Sequence, residues 1–549
     1  MSKKLVHSKR PVPGILPGPA FWPMLLLAML VLLAPVARAD DAAFTAAVSG
    51  LAADNFADKS AAVAAIVESR HANARAVLAA LLDGKLYLRS ADNRVFITDG
   101  GETALQLTDP STLTSAGNGK PDDFQRITTN NGLRKTLRSA IAGFALADPD
   151  AGARLAAVKE MTRSLDDESA AMLRGAVDKE TDAAVKQAMR EALAYVNLAS
   201  DDAATRLAAV QELRASLNAD VYNRLTTLVA DDPDEAVRAA AKAVVSSIDS
   251  SRRMYSSVET LFFGLSLGSV LVLAAIGLAI TFGVMGVINM AHGELMMLGA
   301  YCTYFIQAWF PGLTTWSVLI AIPVAFLVSG AVGVAIERGI VRFLYGRPLE
   351  TLLATFGVSL ILQQLVRGYS ANNVPVETPA WMAGSLQIND ALSLTYNRLY
   401  VLLFMVLVFV ALQLILRKTS LGLKVRAVAQ NRNMARAMGV RTEWVDALTF
   451  GLGSGIAGVA GVALSQLANV GPNLGQQYII DSFMVVVFGG VGNLWGTLVS
   501  GLTLGIVNKV LEPWAGAVLA KIFVLIALIL FIQRRPRGLF PQKGRAAEG

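Results

Sequence analysis

Polar and apolar residues are arranged very differently in the two halves of the chain. After Arg252-Arg253 the sequence falls into long apolar runs at about 261–282, 286–308, 317–341, 351–368, 399–416, 443–468, 479–508 and 516–533, separated by polar connections. About 20 apolar residues span the hydrocarbon layer of a bilayer, so an all-α, polytopic membrane domain of about eight to ten segments is expected over 255–545. Before it, from about 147 to 250, apolar positions recur at helical spacing and the pattern repeats. RLAAVKEM begins at Arg154 and RLAAVQEL at Arg206, while AAVKQAM begins at Ala183 and EAVRAAA at Glu235, each pair 52 residues apart. Each block follows an acidic cluster (Asp148-Pro149-Asp150, Lys179–Asp182, Asp201-Asp202, Asp231–Asp234) placed to cap a helix and complement its dipole. Stacked helical hairpins of the HEAT type are the simplest reading, with a plain Ala-rich bundle as the alternative. Within residues 40–146, KLYLRSADNRVFIT from Lys85 reads as a small hairpin around Ala91-Asp92-Asn93, and Thr108–Asn131 reads as loop.

Two of the apolar runs are broken. Residues 283–301, GVMGVINMAHGELMMLGAY, hold four glycines with Asn289, His292 and Glu294 among apolar neighbours, and FGGVGNLWG from Phe488 is similarly rich in glycine. Basic residues cluster at Arg338–Arg347, Arg417–Arg441 and Arg534–Arg545, which assigns those connections and the C-terminus to the cytoplasm and the N-terminal half to the outside. Runs 261–308 and 479–508 must then each enter and return, with turns near Phe282 and Phe488. Both turns read Phe-Gly-x-x-Gly with an Asn close by, the mark of corresponding broken helices in a pseudo-symmetric transporter. Glycine lets the backbone leave the helix, and the freed amides and carbonyls then need protein or water around them. Gly283, Gly286, Asn289 and His292 on one side, and Gly489, Gly492 and Asn493 on the other, are therefore candidates for the translocation route. Spacings of four at Gly264/Gly268, Gly451/Gly455, Gly492/Gly496 and Gly501/Gly505 are expected to serve helix packing. Glu294 has two readings, an anchor in the first turn of the returning helix or a gating group.

Charge sharpens the division. Residues 1–39 carry five basic residues and no acid, residues 40–253 carry 25 basic against 31 acidic, and residues 254–549 carry 19 against 11. The basic excess lies in the membrane flanks rather than in the soluble part, so no nucleic-acid surface is indicated. A basic start, an apolar core over Met24–Leu33 and Ala37-Arg38-Ala39 read as a secretory signal at 1–39. Cys302 is the one cysteine, so the exported part folds without a disulfide.

SLGLKVRAVAQNRNMARAMGV from Ser420 is a short basic amphipathic segment in a cytoplasmic connection, with Leu423, Val428, Met434 and Met438 as its apolar positions. On charge alone it would lie on anionic lipid. Gly-Leu-Ser-Leu-Gly-Ser at 264, Gly-x-x-Asn-x-Ala-His-Gly-Glu at 286–294, Leu-Gly-x-x-x-Arg-Ala at 421–427 with Met-Ala at 434 and Met-Gly-Val at 438, and Gly-Gly-x-Gly at 489–492 with Gly-Thr at 496 occur together in this order. The stretch 255–545 thereby resembles the permeases of branched-chain amino acid and urea ABC importers. The resemblance implies a helix coupled to an ATPase, with Gly422, Arg426, Ala427, Ala435 and Gly439 as its motif positions. It also implies a homologous second permease, two ATPase subunits that use ATP, an external substrate-binding protein, and a place in the bacterial inner membrane in contact with lipid. The long segment ahead of the first span resembles the urea-type members. A route lined by Thr281, Asn289, Gln363 and Gln364 would suit a small neutral amide, and branched-chain amino acids or short amides are the alternative cargo.

Other classes fit less well. The chain lacks a Gly-x-x-x-x-Gly-Lys-Ser/Thr loop, so no nucleotide cofactor is expected in it. His292 is the one histidine after residue 71 and has no paired nucleophile or metal set, so enzyme activity is not expected. A self-contained urea or amide channel would explain the broken helices but has no need of the Ser420 segment.

Overall fold

The computed structural model describes residues 41–99, 105–163, 165 and 167–541. The secretory signal expected at 1–39 lies outside the described residues. The chain divides into two compact units, one reaching to Ser246 and one beginning at Ser247.

In the first unit a helix over 41–50 (α1) is followed by α2 (Phe56–Glu68) and α3 (Ala74–Leu82). The expected hairpin is β1 (Leu86–Arg89) against β2 (Val95–Asp99). Its neighbours differ from expectation. Part of 108–131, read as loop, supplies β4 (Ser115–Gly119) and β5 (Phe124–Arg126), and with β3 (Leu105–Thr108) these complete an antiparallel sheet of order β4-β3-β2-β1-β5. The sequence hid β4 because SAGNG has no apolar alternation, and its residues are mostly exposed at the sheet edge. Helices α4 (Asn131–Ala145), α5 (Ala151–Arg163), α6 (Asp167–Val177), α7 (Ala183–Asn197), α8 (Ala203–Glu212) and α9 (Ala219–Asp231) follow. Each acidic cluster contributes to a helix start. Asp150 accepts from Ala153 N, Asp182 from Ala184 N and Val185 N, Asp202 from Thr205 N, and Asp234 from Ala236 N and Val237 N.

The 52-residue repeat extends to contacts that sequence alone did not reveal. Arg154 grips Glu180 with Nε and Nη2 at 2.8 and 2.9 Å and donates to the carbonyls of Asp148 and Pro149. Arg206 grips Asp232 at 2.8 and 2.9 Å and donates to the carbonyls of Ser200 and Asp201, and each arginine and its acid partner are 52 residues from their counterparts. Arg154 holds the Glu180 carboxyl down to about 2, and Arg206 likewise lowers that of Asp232. A lowered folded-state value contributes stability above the unfolded value of about 4 that is lost as pH falls toward about 2. Hydrogen exchange on the full chain should show amides of α5–α9 losing protection across that window. Glu180→Gln should flatten the acid slope, and an unchanged slope would show that the pair does not matter for acid stability.

The second unit begins within α10 (Glu235–Met285) and continues through α11 (His292–Trp309), α12 (Ser317–Gly339), α13 (Pro348–Tyr369), the β6–β7 hairpin (Ser385–Asn389, Leu392–Thr395), α14 (Tyr396–Lys418), α15 (Ser420–Gln430), α16 (Arg432–Ala437), α17 (Thr442–Ser465), α18 (Leu474–Gly489) and α19 (Leu494–Arg534). Among the described residues, six helices are long and apolar enough to cross a membrane, and α18 is a shorter apolar helix. This is the mostly helical, polytopic arrangement with broken helices that the apolar pattern predicts. Its boundaries differ in two places. The run 479–508 is two helices meeting at Gly490–Asn493, and the expected segment 516–533 continues α19 past a kink at Gly516, whose φ of 76° and ψ of 162° interrupt the helix beside Pro513.

Helices α10 and α17 are central, with 83% and 89% of their most apolar stretches buried, whereas the corresponding stretches of α12, α13, α14 and α19 are only 17–33% buried. Backbones approach closely wherever two glycines oppose. Gly264 and Gly268 of α10 mesh with Gly501 and Gly505 of α19, Gly277 meets Gly453, and Gly299 of α11 meets Gly458 of α17. The Gly264/Gly268 and Gly501/Gly505 spacings were expected to pack, whereas the Gly277–Gly453 and Gly299–Gly458 contacts were not singled out; van der Waals packing at such close approach is what holds helices together in lipid.

Candidate translocation site

The break after α10 is built by glycine and held by an asparagine turn. Gly286 has φ +67°, a backbone state in which a side chain is strained, and the chain stays non-helical until Ala291. The fully buried Asn289 accepts from Ala291 N and so fixes the turn that leads into α11, whose own first turn has no side-chain cap. The second break also pairs left-handed glycines with an asparagine, since Gly490 and Gly492 have φ of +101° and +79°, and here Asn493 is a true cap that accepts from Trp495 N and Gly496 N at the start of α19. The two breaks touch: a Cβ on Gly283 would overlap the Gly492 backbone, and Gly489 and Gly496 oppose each other across the second break. The two Phe-Gly-x-x-Gly turns, matched in sequence only as corresponding breaks, are thus also in contact.

A cleft of about 520 Å³ opens beside this contact. Gly283 and Val284 at the end of α10, Gly492 and Asn493 of the second break, Val425 and Arg426 of α15, and Gln413 and Arg417 of α14 line it. Candidate route residues from both breaks and residues of the Ser420 segment therefore face one space. Gln413, Arg417 and Trp495 were not singled out from sequence, because nothing in their local pattern distinguishes them from ordinary span-end residues.

On the other side of the first break lies α13. Its buried positions are Thr351, Thr355, Ser359 and Gln363, a polar stripe at spacing four on a helix whose remaining faces are largely apolar and exposed. Thr355 Oγ1 accepts from Met290 N at 3.1 Å and contacts Ile288 O, both within the break. Ser359 donates to Glu294 Oε1 at 3.2 Å, and Gln363 donates to Asn473 Oδ1, which also takes Arg367 Nη2 at 2.9 Å. Thr355 and Ser359 were missed by sequence reasoning although the i, i+4 spacing was there to read. Gln364, grouped with Gln363 from sequence, is exposed on a different face and stands outside the stripe.

Three further expectations change. Thr281 turns its hydroxyl back to the carbonyls of Gly277 and Leu278 and presses its methyl toward Gly453, so it packs helices and does not line the cleft. His292 Nε2 lies 2.9 Å from Ala274 O, tying the start of α11 to α10 in a fully buried position. Glu294 sits in the first turn of α11, where the dipole favours an acid, but its hydrogen bond goes to Ser359 of α13 and it does not cap the helix. Asn289 Nδ2, His292 Nδ1 and Glu294 Oε2 are buried without a hydrogen-bond partner, which marks the break as a place of unspent polar capacity. No group of three or more His, Cys, Asp or Glu side chains able to hold a metal occurs among the described residues.

In the Ser420 segment, Thr419 caps α15 through Gly422 N, and Asn431 separates it from α16 and caps that helix through Met434 N. Gly422 and Ala435 are buried, and a Cβ on Gly422 would strike the Leu416 backbone. Arg426 donates to Leu416 O, Ala427 packs at the edge of the same cluster, and Gly439 ends α16 with φ +83°. The motif residues thus fix the helix pair in place. The outward surface is made by others: Leu423 is 62%, Met434 60% and Met438 78% exposed, while Val428, expected on that face, is buried.

Residues 260–532 match the family model described as branched-chain amino acid transport system / permease component. The chain is 31% identical over 293 residues to the high-affinity branched-chain amino acid transport system permease protein LivH of Salmonella typhimurium, covering 51% of this chain and 94% of that protein. It is 29% identical over 296 residues to the corresponding permease BraD of Pseudomonas aeruginosa, covering 52% and 96%. A more distant similarity, 27% over 278 residues, is to the ribose import permease protein RbsC of Escherichia coli, covering 49% and 81%. No solved structure matches the chain. The broken helices that meet at glycine, the polar stripe beside them and these relatives agree: the chain belongs to the family of branched-chain amino acid transport system permease components and is a membrane permease, not an enzyme.

Proposed function

We infer that this chain forms the translocation route of an ATP-driven importer together with a homologous second permease, two ATPase subunits and an external substrate-binding protein. The observation that carries this reading is the cleft where both glycine breaks meet α15, since it puts the broken backbone next to a helix pair whose outward face is apolar and basic. The basic clusters support the bacterial inner membrane with the helix pair and C-terminus in the cytoplasm and the N-terminal unit outside, where a HEAT-like repeat surface would serve to bind a partner. Branched-chain amino acids are the cargo that the printed names of the relatives favour. Urea is the second reading, favoured by the folded unit ahead of the matched residues 260–532 and by the small amide and hydroxyl groups of the α13 stripe. Uptake of labelled leucine and labelled urea in a deletion strain, with and without the restored gene, separates the two. Leucine uptake that returns alone supports the first, urea uptake that returns alone supports the second, and neither returning removes both.

A further inference from the structure

Asp446, near the start of α17, is a completely buried carboxyl group. Arg432, the first residue of α16, meets its carboxylate with two arms, the Nη1 contact being 3.3 Å. The Arg432 guanidinium also lies 4.4 Å from the centre of the Tyr345 ring, which covers the pair from a third element. One turn further along α16, Arg436 donates to Thr442 Oγ1 at 3.2 Å, in the first turn of α17. Helix α16 is only six residues long, and a helix of that length does not hold itself in place. Its two arginines anchor it to α17.

Helix α17 is the opposite kind of element. It is buried nearly throughout, and its glycines bring it to backbone contact with its neighbours: Gly453 on Gly277 of α10, Gly458 on Gly299 of α11 and Gly461 on the Met296 carbonyl of α11. Contacts of that kind leave little room for side chains to absorb a displacement, so such a helix moves as a body and carries α11 with it. Helix α11 begins at His292, where the first break ends.

Resting on the importer reading above, we propose that Arg432 and Asp446 are a positioning pair that passes displacement of α15–α16 into α17 and so to the start of α11 beside the first break. Separating a buried carboxylate from its cation is strongly unfavourable, so the pair stays closed while the helices move. It acts as a tie between the two helices.

The test uses the full transporter in proteoliposomes, the chain with its ATPase and binding-protein partners, and reads ATP hydrolysis and substrate uptake in the same vesicles. Asp446→Asn is expected to leave stimulated hydrolysis largely intact while uptake per ATP falls about tenfold, the size of an ordinary coupling free energy. Uptake and hydrolysis falling in proportion, or an unchanged ratio, overturns the proposal. Should Asp446→Asn not reach the membrane, Arg432→Lys decides on the same ratio, because lysine keeps the charge and gives up the two-armed grip. A lowered ratio supports the tie and a wild-type ratio refutes it. Wild-type vesicles without any ATP-dependent uptake would instead overturn the importer reading, and the tie with it.

Discussion

Replacing Gly283 by valine is expected to reduce uptake by roughly five- to a hundredfold at unchanged membrane abundance, the rate equivalent of the ~1–3 kcal/mol that overpacking a tight contact costs. A side chain at 283 has no space, because the Gly492 backbone occupies it, and the two breaks would have to separate. Gly286 is the informative contrast. A Cβ there meets nothing within 4 Å, but φ is +67°, so alanine pays only the left-handed backbone strain of about 1–2 kcal/mol. Gly286→Ala should therefore lower thermal stability while moving uptake less than Gly283→Val does. Uptake assayed at matched protein levels in vesicles checks both, and a fully active Gly283→Val would mean that contact between the breaks is not needed for transport.

Much of this was legible beforehand, and the limits have physical causes. The breaks at Gly286 and Gly490–Asn493 announced themselves because glycine and polar residues are costly within an apolar run unless a structure requires them. That the breaks touch was not legible, since contact between residues 283 and 492 is a property of packing and leaves no local trace. The α13 stripe was half legible. Gln363 drew attention as an amide in a span, but Thr355 and Ser359 are small enough to pass as ordinary span residues, and Gln364 drew equal attention only because it is adjacent. In the first unit the caps were predictable from acidic residues at helix starts, whereas the Arg154–Glu180 and Arg206–Asp232 pairs join residues 26 apart and needed the fold to bring them together.

The double change Leu423→Asp with Met438→Asp is expected to abolish ATP-driven uptake, with a loss of roughly 30-fold or more if these side chains are central to a docking surface. Both are among the most exposed apolar side chains of the helix pair, so the change should leave this chain's own packing and its insertion unaffected. The buried neighbours Val425, Val428 and Ala435 are what hold the pair to the rest of the unit. ATPase subunits should no longer co-purify with the variant. Normal uptake by the double variant would place the ATPase contact elsewhere on the chain.

The polar stripe of α13 also bears on how the protein is made. Of the six candidate spans, α13 is the least apolar, because Thr351, Thr355, Ser359 and Gln363 occupy positions that lipid-facing helices give to leucine or valine. A segment of this kind gains little from entering the bilayer alone. Its partners for those groups, residues 288–294, precede it in the chain and are synthesised first, whereas Asn473 comes more than a hundred residues later. Stable membrane integration of α13 thus depends on α10 and α11 already being in place to receive its hydroxyls, and the final lock through Gln363 waits for the arrival of α18.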